Sequence, residues 1–253
     1  MFLLEPEETR YDLRWRMLGT AVRVHPMFWL VSLILGFDAW IQVGTIYPFL
    51  WVACVFVSVL LHEFGHVLMG RLFGSRGYIV LYSMGGLAVG SNALSRRWQR
   101  ILVLLAGPGI QLLLFAVIRY SFPLYLQHTP IPWLKPVILV TLMLKEINLY
   151  WPLLNLLPIW PLDGGQISRE VFTAIMPARG VAVSLGISMV VSGLFAAHML
   201  MASRGRPLLP RVPEGGMFMA FFFAMFCLSS FLALQAENQR RSQWGEDEWN
   251  WRE

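Results

Sequence analysis

The stretch Pro48–Met69, PFLWVACVFVSVLLHEFGHVLM, decides the fold of this chain. It can cross a bilayer as one helix, because a spanning helix needs about 17 to 25 mainly apolar residues. Its final turns carry His62, Glu63 and His66. Residues four apart lie on one helix face, so both imidazoles can turn toward one metal ion while Glu63 reaches the same place from beside them. The stretch therefore predicts a metal centre on a membrane helix.

The composition of the whole chain agrees with a membrane location. The 253 residues are 57% hydrophobic and 14% charged, with a mean hydropathy of +0.57. Such a chain is too apolar to bury its own surface as a water-soluble globule. Six windows have the length of a spanning helix: 27–46, 48–70, 101–118, 137–157, 180–202 and 215–236. We expect an all-α polytopic membrane protein with about six transmembrane helices.

The polar segments divide the chain into three parts. Residues 1–26 are predicted to be a cytoplasmic N-terminal segment, 27–236 a six-span membrane domain with its core at 48–170, and 237–253 a charged cytoplasmic tail. The segment Tyr78–Gly90, between the second and third windows, is β-branched and aromatic. It predicts a short membrane-associated β-hairpin that turns at Gly85 and Gly86. An ordinary tight loop is the alternative.

The net charge of +5 does not indicate nucleic-acid binding. Most of the twenty Lys and Arg fall in segments that share one side of the membrane if the N-terminus is cytoplasmic. We therefore expect both termini to be cytoplasmic and the bilayer, with no nucleic acid, to be a partner. Cys54 and Cys227 lie inside predicted spans and are expected to be small buried apolar side chains rather than a disulfide.

A catalytic zinc ion usually takes three protein ligands and leaves a fourth position to water. His62 and His66 supply two, and the acidic residues inside or beside the other windows are Asp38, Glu146 and Asp163. Asp163 alone follows a helix break, which the prolines in 155–165, NLLPIWPLDGG, would impose. We expect a loop there that carries Asp163. The alternative is that Asp163 caps the next helix.

Taken together, these motifs resemble the site-2 protease family of intramembrane zinc metalloproteases. The resemblance rests on His62–His66 and on Asn155–Gly165, nearly a hundred residues apart, with weaker similarity elsewhere between residues 20 and 170. It implies one Zn²⁺ per chain, held by His62, His66 and Asp163, with Glu63 as the catalytic base. It also implies intramembrane cleavage of single-span, membrane-tethered substrates. We expect an integral protein of a prokaryotic plasma membrane.

The chain departs from the family pattern at two places. Gln111 stands where many relatives have Asn after the motif Ala106–Pro108. The loop from Gly74 to Arg97 is too short to hold the PDZ domain that many relatives insert there. The chain therefore resembles a compact branch without a PDZ domain.

Further side chains are candidates for substrate contact. Asn148 and Asn155 carry amides suited to the oxyanion or to the substrate backbone, although Asn155 can equally satisfy carbonyls that Pro158 frees. The hairpin, through Ile79, Leu81, Gly85 and Gly86, is predicted to hold an unwound substrate as an added strand.

Two other functions are compatible with the same residues. A membrane-anchored zincin would need a soluble lobe with an acidic ligand, and the loops hold too little polar sequence for one. A metal transporter or metal-dependent scaffold could use the same His and Asp ligands without a catalytic base. The residues indicate neither the substrate's identity nor an oligomeric state.

Overall fold

The computed structural model describes residues 5–36, 44, 46–83, 85–209 and 216–250, with side chains up to residue 241. Most of this part of the chain is helical, and it contains one four-stranded sheet. In chain order the elements are β1 Leu13–Met17, β2 Thr20–Val24, α1 Pro26–Leu35, α2 Tyr47–Leu72, β3 Tyr78–Tyr82, β4 Gly85–Val89, α3 Arg97–Leu126, α4 Ile131–Asn155, α5 Asp163–Ile175, α6 Gly180–Ala202 and α7 Gly216–Asn250.

Five described helices are long and apolar enough to cross a membrane by length and composition: α2, α3, α4, α6 and α7 up to Arg241. They correspond to five of the six predicted windows. In the first window the described helix, α1, has only ten residues. Residues 37–43, which include Asp38, lie outside the described residues, so a sixth span stays a prediction.

The chain divides into two compact units, Leu3–Leu154 and Asn155–Glu253. In the first unit, α1, α2 and the sheet share one apolar core, in which Phe28, Val59, Phe64, Ile79 and Leu81 are at most 2% exposed. The HExxH motif lies on the buried side of α2. This core therefore fixes the motif against the sheet.

The predicted hairpin is present, as β3 and β4 pair antiparallel with Leu81 opposite Gly86. The expected Gly-Gly turn is wrong, because Gly85 and Gly86 are the first two residues of β4. The chain turns beside Ser83, which takes a positive φ of 49°. Gly86 thus allows β4 to pack closely on Glu63 of α2, and neither glycine forms the reversal of the chain.

The N-terminal segment contains two strands that the sequence analysis did not predict. β1 and β2 form an antiparallel hairpin, and β2 continues the sheet by pairing parallel with β3, giving the order β1-β2-β3-β4. The signal was present in the alternating sequences LRWRM and TAVRV around Gly19, which takes a φ of 70°. This alternation is typical of a two-stranded ribbon.

Arg23 ties the start of the chain to the sheet. Its guanidinium is 2.7 Å from Glu5 Oε1 and 3.2 Å from Asp12 Oδ2, and Tyr78 Oη donates to Glu5 Oε2 at 2.5 Å. Burial alone would raise the pKa of Asp12, but hydrogen bonds from Thr9 and the charge of Arg23 hold it below its ordinary value. These contacts hold the residues before β1 against β2 and β3.

In the second unit the predicted helix break is present, since α4 ends at Asn155 and α5 begins at Asp163. Asp163 is the first residue of α5 rather than part of a loop. It is not the N-cap either, because Leu162 holds that position without a side-chain hydrogen bond. Gly164 and Gly165 lie directly on the backbone of 156–160, where a Cβ would come within 2.4 Å of it.

The long helices α6 and α7 pack along a seam of buried hydroxyls. Ser188 Oγ and Ser230 Oγ are 2.7 Å apart, and Ser188 also accepts the backbone N–H of Trp160. These hydrogen bonds satisfy polar groups that would otherwise be unpaired among apolar helices. Both cysteines are free thiols; Cys54 is buried, as predicted, whereas Cys227 is only half-buried.

Candidate metal centre

Three side chains of α2 converge on one buried point. His62, Glu63 and His66 are 3%, 5% and 5% exposed. One ligand atom from each lies within 4.8 Å of the other two. One helical turn separates the histidines, so the i, i+4 spacing alone places both rings on one face.

The Nδ1 nitrogen of each imidazole ring already has a hydrogen-bond partner. His66 Nδ1 lies 2.7 Å from the Val103 carbonyl oxygen, and His62 Nδ1 lies 2.8 Å from Gln111 Oε1. Both partners are acceptors, so both Nδ1 atoms donate a hydrogen. In the neutral rings, each Nε2 is therefore left with a lone pair.

These two lone pairs face each other. His62 Nε2 and His66 Nε2 are 3.0 Å apart, and two such acceptors repel unless a cation, either a proton or a metal ion, lies between them. Imidazole nitrogens bind zinc at about 2.0–2.1 Å. The buried Glu63 carboxylate lies beside them, with an oxygen within 4.8 Å of both rings' ligand atoms. The donor set therefore fits a borderline-soft divalent metal ion better than a shared proton.

The space beside the two Nε2 atoms exists because residue 107 is glycine. A Cβ on Gly107 would lie 2.4 Å from His66 Nε2 and 2.9 Å from His62 Nε2. A Cβ on Gly65 would lie 2.5 Å from the Ala106 carbonyl oxygen. The two glycines thus let α2 and α3 approach closely at the level of the rings.

We expect Gly107→Ala to lower the affinity for a divalent metal ion by about 10-fold or more, since the new methyl group would displace the imidazoles. The matched control is Gly109→Ala in the same helix, where a Cβ meets nothing within 4 Å. Titration of the purified proteins with Co²⁺ measures both. Equal affinities for the two variants would contradict the geometry described for Gly107.

The sheet reaches the centre through β4. A Cβ on Gly86 would lie 2.6 Å from Glu63 Oε1, so the strand backbone packs directly on the carboxylate. The Leu81 carbonyl accepts the N–H of His25, on the β2 side of β3. Gly86, opposite Leu81, therefore turns its own N–H and C=O away from β3, toward the open edge.

The other residues that the sequence suggested for substrate contact or metal binding lie in different surroundings. Ile79 and Leu81 are fully buried in the core of the first unit. Asn148 is also fully buried; its Nδ2 donates to Ser58 Oγ and the Leu144 carbonyl, while Oδ1 has no hydrogen-bond partner in the described structure. Asp163, 8% exposed, and Asn155 belong to the second unit.

Sequence analysis missed two residues of the centre. Gln111 was noted only as a departure from the family pattern, and it is the hydrogen-bond partner of His62. Gly107 was noted only as part of a motif, and it lines the space beside both rings. A polar residue four positions after this glycine, in the otherwise apolar window 101–118, was the available signal.

No protein-family model matches the chain, but known proteins do. A putative zinc metalloprotease of Synechocystis sp. is 36% identical over 118 residues, which cover 46% of this chain and 30% of that protein. The putative zinc metalloprotease Rip3 of Mycobacterium tuberculosis is 30% identical over 223 residues, covering 81% of this chain and 54% of that protein. The chain thus spans about half or less of the length of these relatives.

The solved structure of the site-2 protease from Methanocaldococcus jannaschii aligns with 90% of this chain and 94% of its own. The TM-score is 0.52 and the sequence identity is 21%. The two proteins therefore share a fold. With its five apolar helices, the chain is an integral membrane protein.

Proposed function

This chain is a relative of the zinc metalloproteases of the site-2 protease family, and on that basis we propose that it is an intramembrane zinc endopeptidase. It hydrolyses peptide bonds in or near the transmembrane segment of single-span, membrane-tethered proteins. The observation that carries the proposal is the pair of Nε2 atoms 3.0 Å apart on a membrane helix, with the Glu63 carboxylate beside them.

Zinc fits this donor set and, when bound, supplies a Lewis acid that polarises the scissile carbonyl and acidifies a water molecule. Glu63 takes the proton from the attacking water and returns it to the leaving amide nitrogen. His62 and His66 hold the reaction centre in place, since their Nδ1–H bonds prevent ring rotation. Burial of all three side chains keeps bulk water out.

We propose that Glu63→Gln abolishes peptide hydrolysis but leaves zinc bound. Glutamine keeps the shape of the side chain but cannot accept a proton, so cleavage should fall by about 100-fold or more. The measurement is cleavage of a single-span substrate in proteoliposomes, with zinc content determined on the same samples. This experiment distinguishes a protease from a metal transporter or scaffold. In a transporter or scaffold, the parent protein would cleave no substrate, and Glu63→Gln would alter metal flux or metal affinity.

Asp163 is our proposed third zinc ligand. It is a buried carboxylate in a membrane protein, and such groups are costly unless they face a cation or another partner. Its position at the start of α5, held by Gly164 and Gly165, gives it a defined backbone. Of the other acidic candidates, Glu146 lies exposed on α4.

We expect Asp163→Asn to lower zinc affinity by at least about 10-fold, because an amide is a much weaker ligand than a carboxylate. Glu146→Gln removes a charge from a helix of the first unit and should leave the affinity within about twofold of the parent. Competition with a chromophoric chelator measures both. The opposite ranking would reject Asp163 in favour of Glu146.

We propose that the open edge of β4 receives the substrate as an added strand. A helical substrate hides its amides and must unwind before hydrolysis. Gly86 supports this role, because its N–H and C=O point to the open edge while its α-carbon packs on Glu63. Gly85 extends the same strand. Ile79 and Leu81 contribute by fixing β3 in the core beneath it.

We expect Ala88→Pro to weaken cleavage while zinc binding is retained. Ala88 pairs with Ile79 and, like Gly86, turns its N–H toward the open edge, so proline there removes no bond to β3. Loss of one backbone hydrogen bond, about 0.5–1.5 kcal/mol, predicts a fall in kcat/KM of about 2- to 12-fold. Cleavage equal to the parent's would reject strand addition at this position.

The two asparagines have different proposed roles. Both amide hydrogens of Asn148 go to Ser58 and Leu144, so its free Oδ1 suits a substrate N–H better than an oxyanion. Asn155, at the end of α4, is the proposed oxyanion donor. We further propose a prokaryotic plasma membrane as the location, with both termini in the cytoplasm and no nucleic-acid partner.

A further inference from the structure

Gln111 is a fully buried amide in the middle of α3, one of the apolar helices long enough to span the membrane. Burying an amide is unfavourable unless both of its ends are hydrogen-bonded. Both ends of Gln111 are bonded, and both bonds run to α2. Oε1 is 2.8 Å from His62 Nδ1, and Nε2 is 3.2 Å from the Ser58 carbonyl oxygen.

The second of these bonds determines the direction of the first. A backbone carbonyl only accepts, so the Gln111 Nε2 must face Ser58 and the Oε1 must face His62. Oε1 in turn can only accept, so His62 Nδ1 must carry the hydrogen. The ring of His62 is thereby held with its Nε2 lone pair toward His66.

Ser58 connects this pair to a third helix. Its Oγ accepts from Asn148 Nδ2 on α4 at 2.9 Å, while its carbonyl accepts from Gln111 on α3. Asn148, Ser58, Gln111 and His62 thus form a continuous chain of buried hydrogen bonds through α4, α2, α3 and back to α2. All four residues belong to the first compact unit.

We propose that Gln111 is a positioning residue for the metal centre: it selects the Nδ1–H tautomer of His62 and fixes the ring for metal binding, with Ser58 and Asn148 holding Gln111 in register. The identity of the ion rests on the proposed function. The selection of the tautomer does not, because it follows from hydrogen bonds within the chain.

The test begins with Gln111→Leu, which keeps the approximate volume and removes both hydrogen bonds. Loss of a hydrogen-bond partner behind a metal-binding histidine typically costs about 10- to 100-fold in affinity. We expect that loss for Zn²⁺, measured by chelator competition on the full-length protein in detergent. In the metal-free protein, ¹⁵N spectra of the histidine rings should show that His62 no longer populates the Nδ1–H tautomer predominantly.

Two further substitutions separate positioning from simple packing. Gln111→Glu keeps an acceptor oxygen for His62 at the same reach, and its protonated form, which burial favours, also keeps a donor for Ser58. It should therefore restore affinity to within about threefold of the parent. Gln111→Asn is one methylene shorter and cannot span from α3 to both partners, so it should resemble Gln111→Leu.

The matched control is Thr141→Val, an isosteric change on α4. Thr141 is 4% exposed and its Oγ bonds Tyr125 and Val137, remote from the chain that ends at His62. We expect parent-like zinc affinity and an unchanged His62 tautomer. Losses in Thr141→Val or in Gln111→Glu as large as in Gln111→Leu would overturn the proposal, as would an unchanged tautomer in Gln111→Leu.

The outcomes for Gln111 and for the proposed function are separable. A parent protein that binds zinc and shows the Gln111 dependence but cleaves no membrane substrate would refute the protease and leave the positioning role intact. A parent that cleaves, and whose Gln111→Leu variant keeps both its zinc affinity and its tautomer, would refute the positioning role alone.

Discussion

The close approach of α2 and α3 is the contact on which the metal centre depends. Gly65 lies against the Ala106 carbonyl, and Gly107 lies against both imidazoles. At that separation, α3 presents the Val103 carbonyl and the Gln111 amide to the two Nδ1 atoms. A wider spacing would leave the two imidazole rings free to rotate, and His62, Glu63 and His66 would no longer define a site. The absence of a side chain at Gly65 and at Gly107 is therefore as necessary for this centre as the metal-binding side chains are.

The sheet is the second constraint, because it joins the apolar core to the Glu63 carboxylate. Residues of β3 are fully buried on the core side, and β4 lies at the edge with Gly86 on Glu63. Non-helical backbone beside a membrane helix is tolerated only where other protein or water satisfies it. In this protein β3 satisfies one side of β4, and the turn through Ser91 satisfies the Ala88 carbonyl on the other side. The rest of that other side is where we propose that an extended peptide adds.

Much of this arrangement could be predicted from the sequence, because it depends on local patterns. The i, i+4 histidines, the apolar windows, the β-branched hairpin and the proline break before Asp163 are each encoded within a few residues. What could not be predicted depends on tertiary packing. Gly86 resembles a turn glycine until β4 is seen against Glu63, and Gln111 resembles a substitution of little consequence until α3 is seen against His62. The β1–β2 ribbon had a local signal, but its parallel pairing with β3 joins residues nearly sixty positions apart.

The parallel pairing of β2 with β3 also determines which edges of the sheet remain available for pairing with another strand. With β2 in place, the described sheet has two outer edges, on β1 and on β4, separated by three strand spacings or about 14 Å. Of these two edges, the one on β4 adjoins the Glu63 carboxylate. The N-terminal ribbon therefore covers the edge of β3 and prevents other polypeptides from pairing there. If substrates add to the sheet as proposed, the β4 edge is then the one that places them beside Glu63.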